Sequence, residues 1–374
     1  MDCSMKLLSV VGARPNFMKI APMVRALARR RETPIEHVLV HTGQHYDPSM
    51  SEIFFKELGI PAPNFNLQVG SGTHAEQTAK VMLAFEPICS VQRPDWVVVV
   101  GDVNSTMACA LVAAKLGIKV AHIEAGLRSF DRTMPEEINR IVTDSLADLL
   151  LTPSLDADDN LRREGVASER IRCVGNVMID TLCANLADAR RSSLPDSLAI
   201  SPKQFAYVTL HRPSNVDHRD TLERILASIV KVSESIPVVF VVHPRTRSMM
   251  ESFGLASVAG HNLKLIDPVG YRDSLYLTEN ARFVLTDSGG LQEESTYLRT
   301  PCLTLRPNTE RPVTIMVGTN KLTRVESLAA DIDEIMRDSR PSGGIPPYWD
   351  GHAADRILDA LLELRSPSAN RPCA

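Results

Sequence analysis

The chain has 374 residues, 44% of them hydrophobic and 23% charged, with a formal net charge of -4 at pH 7. That is the make-up of a soluble globular protein of about two domains; it excludes disorder as the main state and gives no bulk charge for nucleic acid or a membrane surface. The seven cysteines are odd in number, scattered and free of any CxxC pair, which argues against a disulfide framework and a cysteine-rich zinc site. No apolar run approaches the roughly 18 residues of a spanning helix. The start, MDCSMKLLSVVGARP, lacks a signal-peptide build, so a cytoplasmic protein is expected.

Short runs rich in Val, Leu and Ile recur along the chain. In order they are KLLSVV, HVLVHT, WVVVVG, KVAHIE, DLLLTP and RIRCVG, then FAYVTL, VVFVVH, LKLID, FVLTD and PCLTL. Each precedes a polar or glycine-containing turn and a helix-like pattern. Continuous apolar runs without alternation suit strands covered on both faces, and strands alternating with helices imply parallel α/β sheets. With the polar stretch DARRSSLPDSLAISPKQ between the two groups, the expectation is two doubly wound, Rossmann-like domains, 1–178 and 179–352. A last amphipathic helix is expected over 353–366.

Ligands of open parallel sheets sit beyond the carboxyl ends of the strands. The polar residues at those ends include Arg14, Lys19, Gln44, Asp102, Glu124, Arg128, His211, Arg212, His243, Ser288, Gly289 and Gly290. LTDSGGLQEES pairs a strand end with two glycines and a helix start, which favours an anion such as phosphate, or else is a plain turn capped by Asp287 or Ser288. GARPNFMK places Arg14 and Lys19 on a first turn suited to phosphate or sugar, or else leaves Lys19 solvated. Asp102 reads as a reactive acid or a helix cap. Glu124, at a buried strand end, needs a partner, and Arg128 is the nearest in sequence. Glu136 fits a capping box, Thr133-x-x-Glu136, with Pro135 early in the helix. His122 reads as a satisfied strand histidine. The histidines lack HExxH or similar metal spacing, GxxxxGK is missing, and no GxGxxG follows a strand, so a metal, an ATP-type P-loop and a nicotinamide are not expected.

These segments together resemble the non-hydrolysing UDP-N-acetylglucosamine 2-epimerases over nearly the whole chain. The matching stretches are GARPNFMKIAP, HTGQHYD, GDVNSTMACALVAAKLGIKVAHIEAGLRS, MPEEINR, VGNVMIDTL, TLHRPSNVD, VVHPRT and LTDSGGLQEES with TERP, in the family's order. The resemblance implies a glycosyltransferase-B-like fold, two Rossmann-like domains facing a cleft, with the last helix returning to the first domain. It implies a UDP-sugar substrate, no cofactor or metal, and a homodimer serving polysaccharide biosynthesis. By the same resemblance Asp102, Glu124, Glu136 and His211 are the proton-transfer groups. Arg14, Ser288, Gly289 and Gly290 hold the diphosphate with Lys19 nearby, and Glu294 takes the ribose. Glu310 and Arg311 of the TERP segment, with Gln44, Arg128, Arg212 and His243, complete the implied substrate contacts. Tyr271 neighbours the region expected for uracil.

Three rivals stand beside this: a hydrolysing 2-epimerase, a glycosyltransferase on the same fold, and a non-catalytic nucleotide-sugar sensor. GARPNFMK matches the non-hydrolysing form, and the retained acids disfavour the other two. GARPNF also leans toward the GARPQF of epimerases acting on UDP-2,3-diacetamido-glucuronic acid. The family's second, activator-binding site resembles QHxxQ and HRRE segments; here these read Gln44-His45-Tyr46-Asp47 and His211-Arg212-Pro213-Ser214. An acid in place of the second glutamine repels a diphosphate, so no need for UDP-GlcNAc as activator is expected.

Overall fold

The computed structural model describes residues 4–30, 35–43, 58–258, 262–337 and 343–364. The chain divides into two compact units, 1–181 with 347–374, and 182–346. The first division falls inside the continuous helix Val177–Ala189, three residues beyond the expected boundary. The second precedes 352 because Trp349 Nε1 donates to Pro153 O at 2.9 Å, tying that segment to the first unit.

The first unit holds seven strands: β1 (Met5–Val11), β2 (Ile35–His41), β3 (Phe65–Asn66), β4 (Trp96–Val100), β5 (Lys119–Ile123), β6 (Leu149–Thr152) and β7 (Ile171–Cys173). All pair in parallel, in the order β3-β2-β1-β4-β5-β6-β7. Leu8 aligns with Val38 on one side and Val97 on the other, so one face of the sheet carries a continuous apolar row. That face packs on Phe85 and Cys89 of helix His74–Gln92 and on Cys109 and Val112 of helix Asn104–Lys115. The last helix, Ala353–Glu363, buries Ile357, Leu358 and Leu361. Asp180 accepts the N–H groups of Ala353 and Ala354 at 3.0 and 2.8 Å, satisfying donors that a helix start leaves open. Arg29 and Arg30, ending helix Arg14–Arg29, pair with Asp355.

The second unit holds β8 (Ala206–Thr209), β9 (Val238–Val241), β10 (Leu263–Ile266), β11 (Phe283–Thr286), β12 (Cys302–Leu305) and β13 (Asn320–Thr323), again parallel, in the order β10-β9-β8-β11-β12-β13. Apolar clusters cover both faces. Phe240 and Leu285 pack with helix Arg219–Ser233 on one, and Tyr207 and Val239 with Leu277 and Leu291 on the other. This double coverage is why the strands read as unbroken apolar runs. All eleven runs seen in the sequence are strands. β3 and β13 were not legible, being two residues long in one case and reading NKLT in the other.

Candidate active site

In the first unit the strand order reverses between β1 and β4, the switch point at which open α/β sheets leave a crevice. Asn16 stitches the two strand ends together. Its Oδ1 accepts the Ala13 N–H at 2.9 Å and its Nδ2 donates to Val100 O at 2.8 Å. One turn on, Lys19 forms an ion pair with Glu124, and the two side chains are only 8% and 7% exposed. Lys19 is therefore not solvated. Glu124 sits just past β5 with φ of +73°, a left-handed conformation that costs a non-glycine residue about 1–3 kcal/mol and clusters at functional sites. Gly101 has φ of +70°, and a Cβ there would lie 3.0 Å from Lys19 Nζ and 3.3 Å from Glu124 Oε2. Any side chain there would crowd the pair and strain the left-handed backbone.

Asp102 follows directly. Its Oδ2 accepts from Arg140 Nε at 3.1 Å and Nη2 at 2.8 Å. Arg140 also pairs with Glu137, whose carboxylate takes the Ser129 and Phe130 N–H groups, both at 2.9 Å. Asp102 is the open end of this chain, with a side chain 26% exposed against 3% for Arg140. Asn139 Nδ2 donates to Asp102 O at 2.9 Å and holds the backbone. Asp102 thus does not serve as a helix cap: Val103 is the N-cap of helix Asn104–Lys115.

The capping box at Thr133 and Glu136 does not form. Met134 is the N-cap of helix Pro135–Leu146, without a side-chain cap, and the Thr133 hydroxyl donates to Asp131 at 2.6 Å. The acid that reaches back over the turn is Glu137. The half-buried Glu136 carboxylate has no hydrogen bond or ion pair among the described residues.

Arg128 is not the partner of Glu124, nor is it offered to a ligand. It is buried, donates from Nε and Nη2 to the two Glu164 oxygens at 2.7 Å, and from Nη1 to Asp144 at 2.7 Å and Leu127 O at 2.8 Å. Asp144 lies 2.6 Å from His122 Nδ1, while His122 Nε2 lies 2.8 Å from Gly101 O. Burial alone would raise the Asp144 carboxyl, but His122 and Arg128 outweigh it and hold it below the usual range. This buried network fixes the Gly101 peptide, and with it the start of Asp102.

In the second unit the order reverses between β8 and β11. His211 and Asp287 sit past those two strands, and Ser288, Gly289 and Gly290 follow. Ser288 is the N-cap of helix Gly289–Tyr297 but makes no side-chain cap, and Asp287 turns its carboxylate away to the N–H groups of His211 and Arg212. The expected cap by either residue is absent. The first N–H groups of this nine-residue helix point along its dipole toward whatever anion arrives. A Cβ on Gly289 would lie 2.9 Å from Arg311 Nη1, whereas one on Gly290 would meet nothing within 4 Å. Gly289 therefore makes room for Arg311, and Gly290 is the open side.

Arg311 and Glu310 are buried beneath this helix start. Glu310 pairs with Arg311 and with Arg306, the latter at 2.8 Å, and Arg311 Nε lies 2.7 Å from Glu293. These charges pair with one another under the turn. Glu294 is also buried, and its carboxyl is pushed up to about 8 by burial, with the Tyr271 hydroxyl opposing and Glu293 adding to the rise. Arg212 Nε donates to Asp287 O at 3.1 Å. His243 is the N-cap of helix Pro244–Ser252, its Nδ1 accepting the Arg245 N–H at 3.2 Å. Arg14 is the first residue of helix Arg14–Arg29, and Gln44 lies outside the described residues.

Sequence reading places Asn16 with Phe17 toward a modified sugar and not between two strand ends, and it missed Glu137 and Arg140. The last two stand three apart in MPEEINR, the spacing of neighbours on one helix face. Each unit thus carries its polar groups at its own switch point: carboxylates fixed by buried cations in one, a helix start without a side-chain cap beside a histidine in the other. Among the described residues no helix is long and apolar enough to cross a membrane, and no His, Cys, Asp or Glu group is arranged to hold a metal ion.

The family model described as UDP-N-acetylglucosamine 2-epimerase matches residues 27–362. A Methanococcus maripaludis protein named as a homolog of that enzyme is 46% identical, over 96% of this chain and 100% of its own. A Pseudomonas aeruginosa UDP-2,3-diacetamido-2,3-dideoxy-D-glucuronate 2-epimerase is 40% identical, again over 96% and 100%. The crystal structure of the Methanocaldococcus jannaschii UDP-GlcNAc 2-epimerase, in complex with UDP-GlcNAc and UDP, matches with a TM-score of 0.86 at 41% identity, covering 96% of this chain and 100% of that one.

Proposed function

The chain belongs to the UDP-N-acetylglucosamine 2-epimerase family, and from that premise we propose that it interconverts UDP-N-acetylglucosamine and UDP-N-acetylmannosamine without net hydrolysis. The proton at sugar carbon 2 is weakly acidic, so a carboxylate must be held ready to take it. Glu124, Asp102 and Glu136 are the acids for this step, with His211 as a further proton-transfer group. The electron pair of the C2–H bond becomes the C1–C2 double bond as the C1–O bond breaks, and UDP leaves with its pair. Arg14 and the Ser288–Gly290 helix start receive the growing negative charge. UDP then adds back to the 2-acetamidoglucal while carbon 2 gains a proton on the other face. Two faces require more than one acid/base group.

The observation that carries this is the Lys19–Glu124 pair, packed close against Gly101, with Glu124 in a backbone conformation glutamate otherwise avoids. A structural ion pair needs no such strain. Glu294 takes the ribose hydroxyls.

A second substrate is favoured by the 40% identity to the diacetamido-glucuronate epimerase and by the shared lean of GARPNF. Proton NMR in deuterium oxide with each nucleotide sugar separates the possibilities. Epimerisation with deuterium entering carbon 2 is expected, and the faster substrate identifies the sugar. Free UDP and free sugar accumulating in stoichiometric amounts would overturn the non-hydrolysing mechanism. The resemblance that carries the substrate also carries a homodimer as the working form, which sedimentation at assay concentration checks.

A further inference from the structure

His211 and Asp287 stand at the ends of strands that lie side by side, since Thr209 and Thr286 pair in register where the sheet order reverses. Asp287 is wholly buried, yet it is not used by its own helix. Its Oδ2 accepts the N–H of His211 at 3.0 Å, the N–H of Arg212 at 2.9 Å and Asn215 Nδ2 at 2.9 Å. Its Oδ1 lies 2.9 Å from His211 Nδ1. Four donors around one carboxylate fix it in place and favour its charged form. Burial alone would raise this carboxyl, but the His211 ring, the Arg212 N–H and the Asn215 amide together hold it below the usual range.

The His211 side chain is 39% exposed, so the buried aspartate grips only one edge of the ring. One face is covered by His243, whose ring centroid lies 5.3 Å away at a tilt of 38°. His243 is itself pinned through Nδ1 by the Arg245 N–H. An acceptor beside Nδ1 selects the tautomer with its proton there and leaves Nε2 as the working nitrogen. No partner for Nε2 is found among the described residues.

Resting on the epimerase reading, we infer that Asp287 is a positioning residue: it holds His211 as the Nδ1–H tautomer and presents Nε2 to the nucleotide sugar bound at the Ser288–Gly290 turn. When Nε2 takes a proton, the ring becomes positive beside an aspartate that stays ionised. When Nε2 gives the proton up, the ring returns to the same tautomer. Because Ser288 is the next residue, one carboxylate fixes the ring and the start of the anion-binding turn together.

The test combines ring 15N NMR with kinetics. In the wild-type protein the neutral His211 should carry its proton on Nδ1; an Nε2–H tautomer overturns the inference without any variant. In Asp287→Asn the amide can offer its NH₂ to Nδ1, so the proton should move to Nε2. Turnover should fall about 10²-fold, the scale of a lost acid/base group, with KM and UDP affinity nearly unchanged. In a His211→Ala background the same substitution should cost nothing further, because residues acting as one unit are not additive. Additive losses, or a loss of UDP affinity with turnover kept, would make Asp287 a turn-building residue only. A wild type that epimerises no UDP-sugar counts against the function itself and leaves the tautomer result standing.

Discussion

The two switch points differ in how they treat charge. In the first unit Glu124 is matched to Lys19, Asp102 and Glu137 to Arg140, and Asp144 to Arg128, while Glu136 has no such cation among the described residues. In the second unit Glu293 and Glu310 are likewise matched to Arg311 and Arg306, but Asp287 is held by backbone N–H groups, and burial pushes the Glu294 carboxyl up to about 8, against the Tyr271 hydroxyl and with Glu293 adding to it. A proton-abstracting site needs carboxylates held in place, and charge-assisted bonds to fixed cations hold them. In both units these charges sit in the turns and helices and not in the strands.

The largest test of that contrast is in the first unit. Glu124→Gln and Asp102→Asn should each lower turnover about 10²-fold or more. Glu136→Gln should do the same while keeping its melting temperature, since the structure gives that side chain no capping role. Loss of melting temperature with turnover intact would return Glu136 to a structural part.

Arg14→Ala should weaken UDP binding by about 1.5–3 kcal/mol, the worth of a charge-assisted hydrogen bond, as read by calorimetry. Gly101→Ala should destabilise by about 1–2 kcal/mol through its left-handed backbone, and should also reduce turnover by pushing Lys19 and Glu124 apart. A stability loss without an activity loss would separate the pair from catalysis.

Glu294 gives a pH test. Its carboxyl is raised from 4.5 to about 8, so the folded chain holds a proton that the unfolded chain releases between those values. Stability from this group therefore falls as pH rises through that window. Thermal unfolding of ligand-free Glu294→Gln should show an advantage over the wild type that grows from about pH 5 to about pH 8. An advantage constant with pH would mean the carboxyl titrates normally. The smallest expected effect is regulatory: turnover starting from pure UDP-ManNAc should be linear from the outset, and a lag removed by a trace of UDP-GlcNAc would show that an activator site persists despite Asp47 and Pro213.

The strands were legible because residues such as Val97–Val100 and Val238–Val242 are covered on both faces and leave no polar interruption. Partners were less so. Arg128 is four residues from Glu124 and looked like its ion-pair partner, but Lys19, 105 residues away, holds that place. Chain neighbours at a turn diverge, while residues after β1, β4 and β5 converge at a switch point that no spacing reveals. The capping box failed by one residue: Pro135 starts the helix at Met134, so Glu137 and not Glu136 faces back over the turn. Asp287 looked like a helix cap, and only the pairing of β8 with β11 brings His211 to it.

The central claim is a division of labour between residues: Glu124 of the first unit serves the proton at carbon 2 and not the nucleotide, whose diphosphate the Ser288–Gly290 turn of the second unit holds. UDP affinity and deuterium exchange at carbon 2, measured together on Glu124→Gln, test it most directly. The account predicts wild-type UDP affinity with exchange lost; exchange retained, or UDP binding lost with it, would contradict the division.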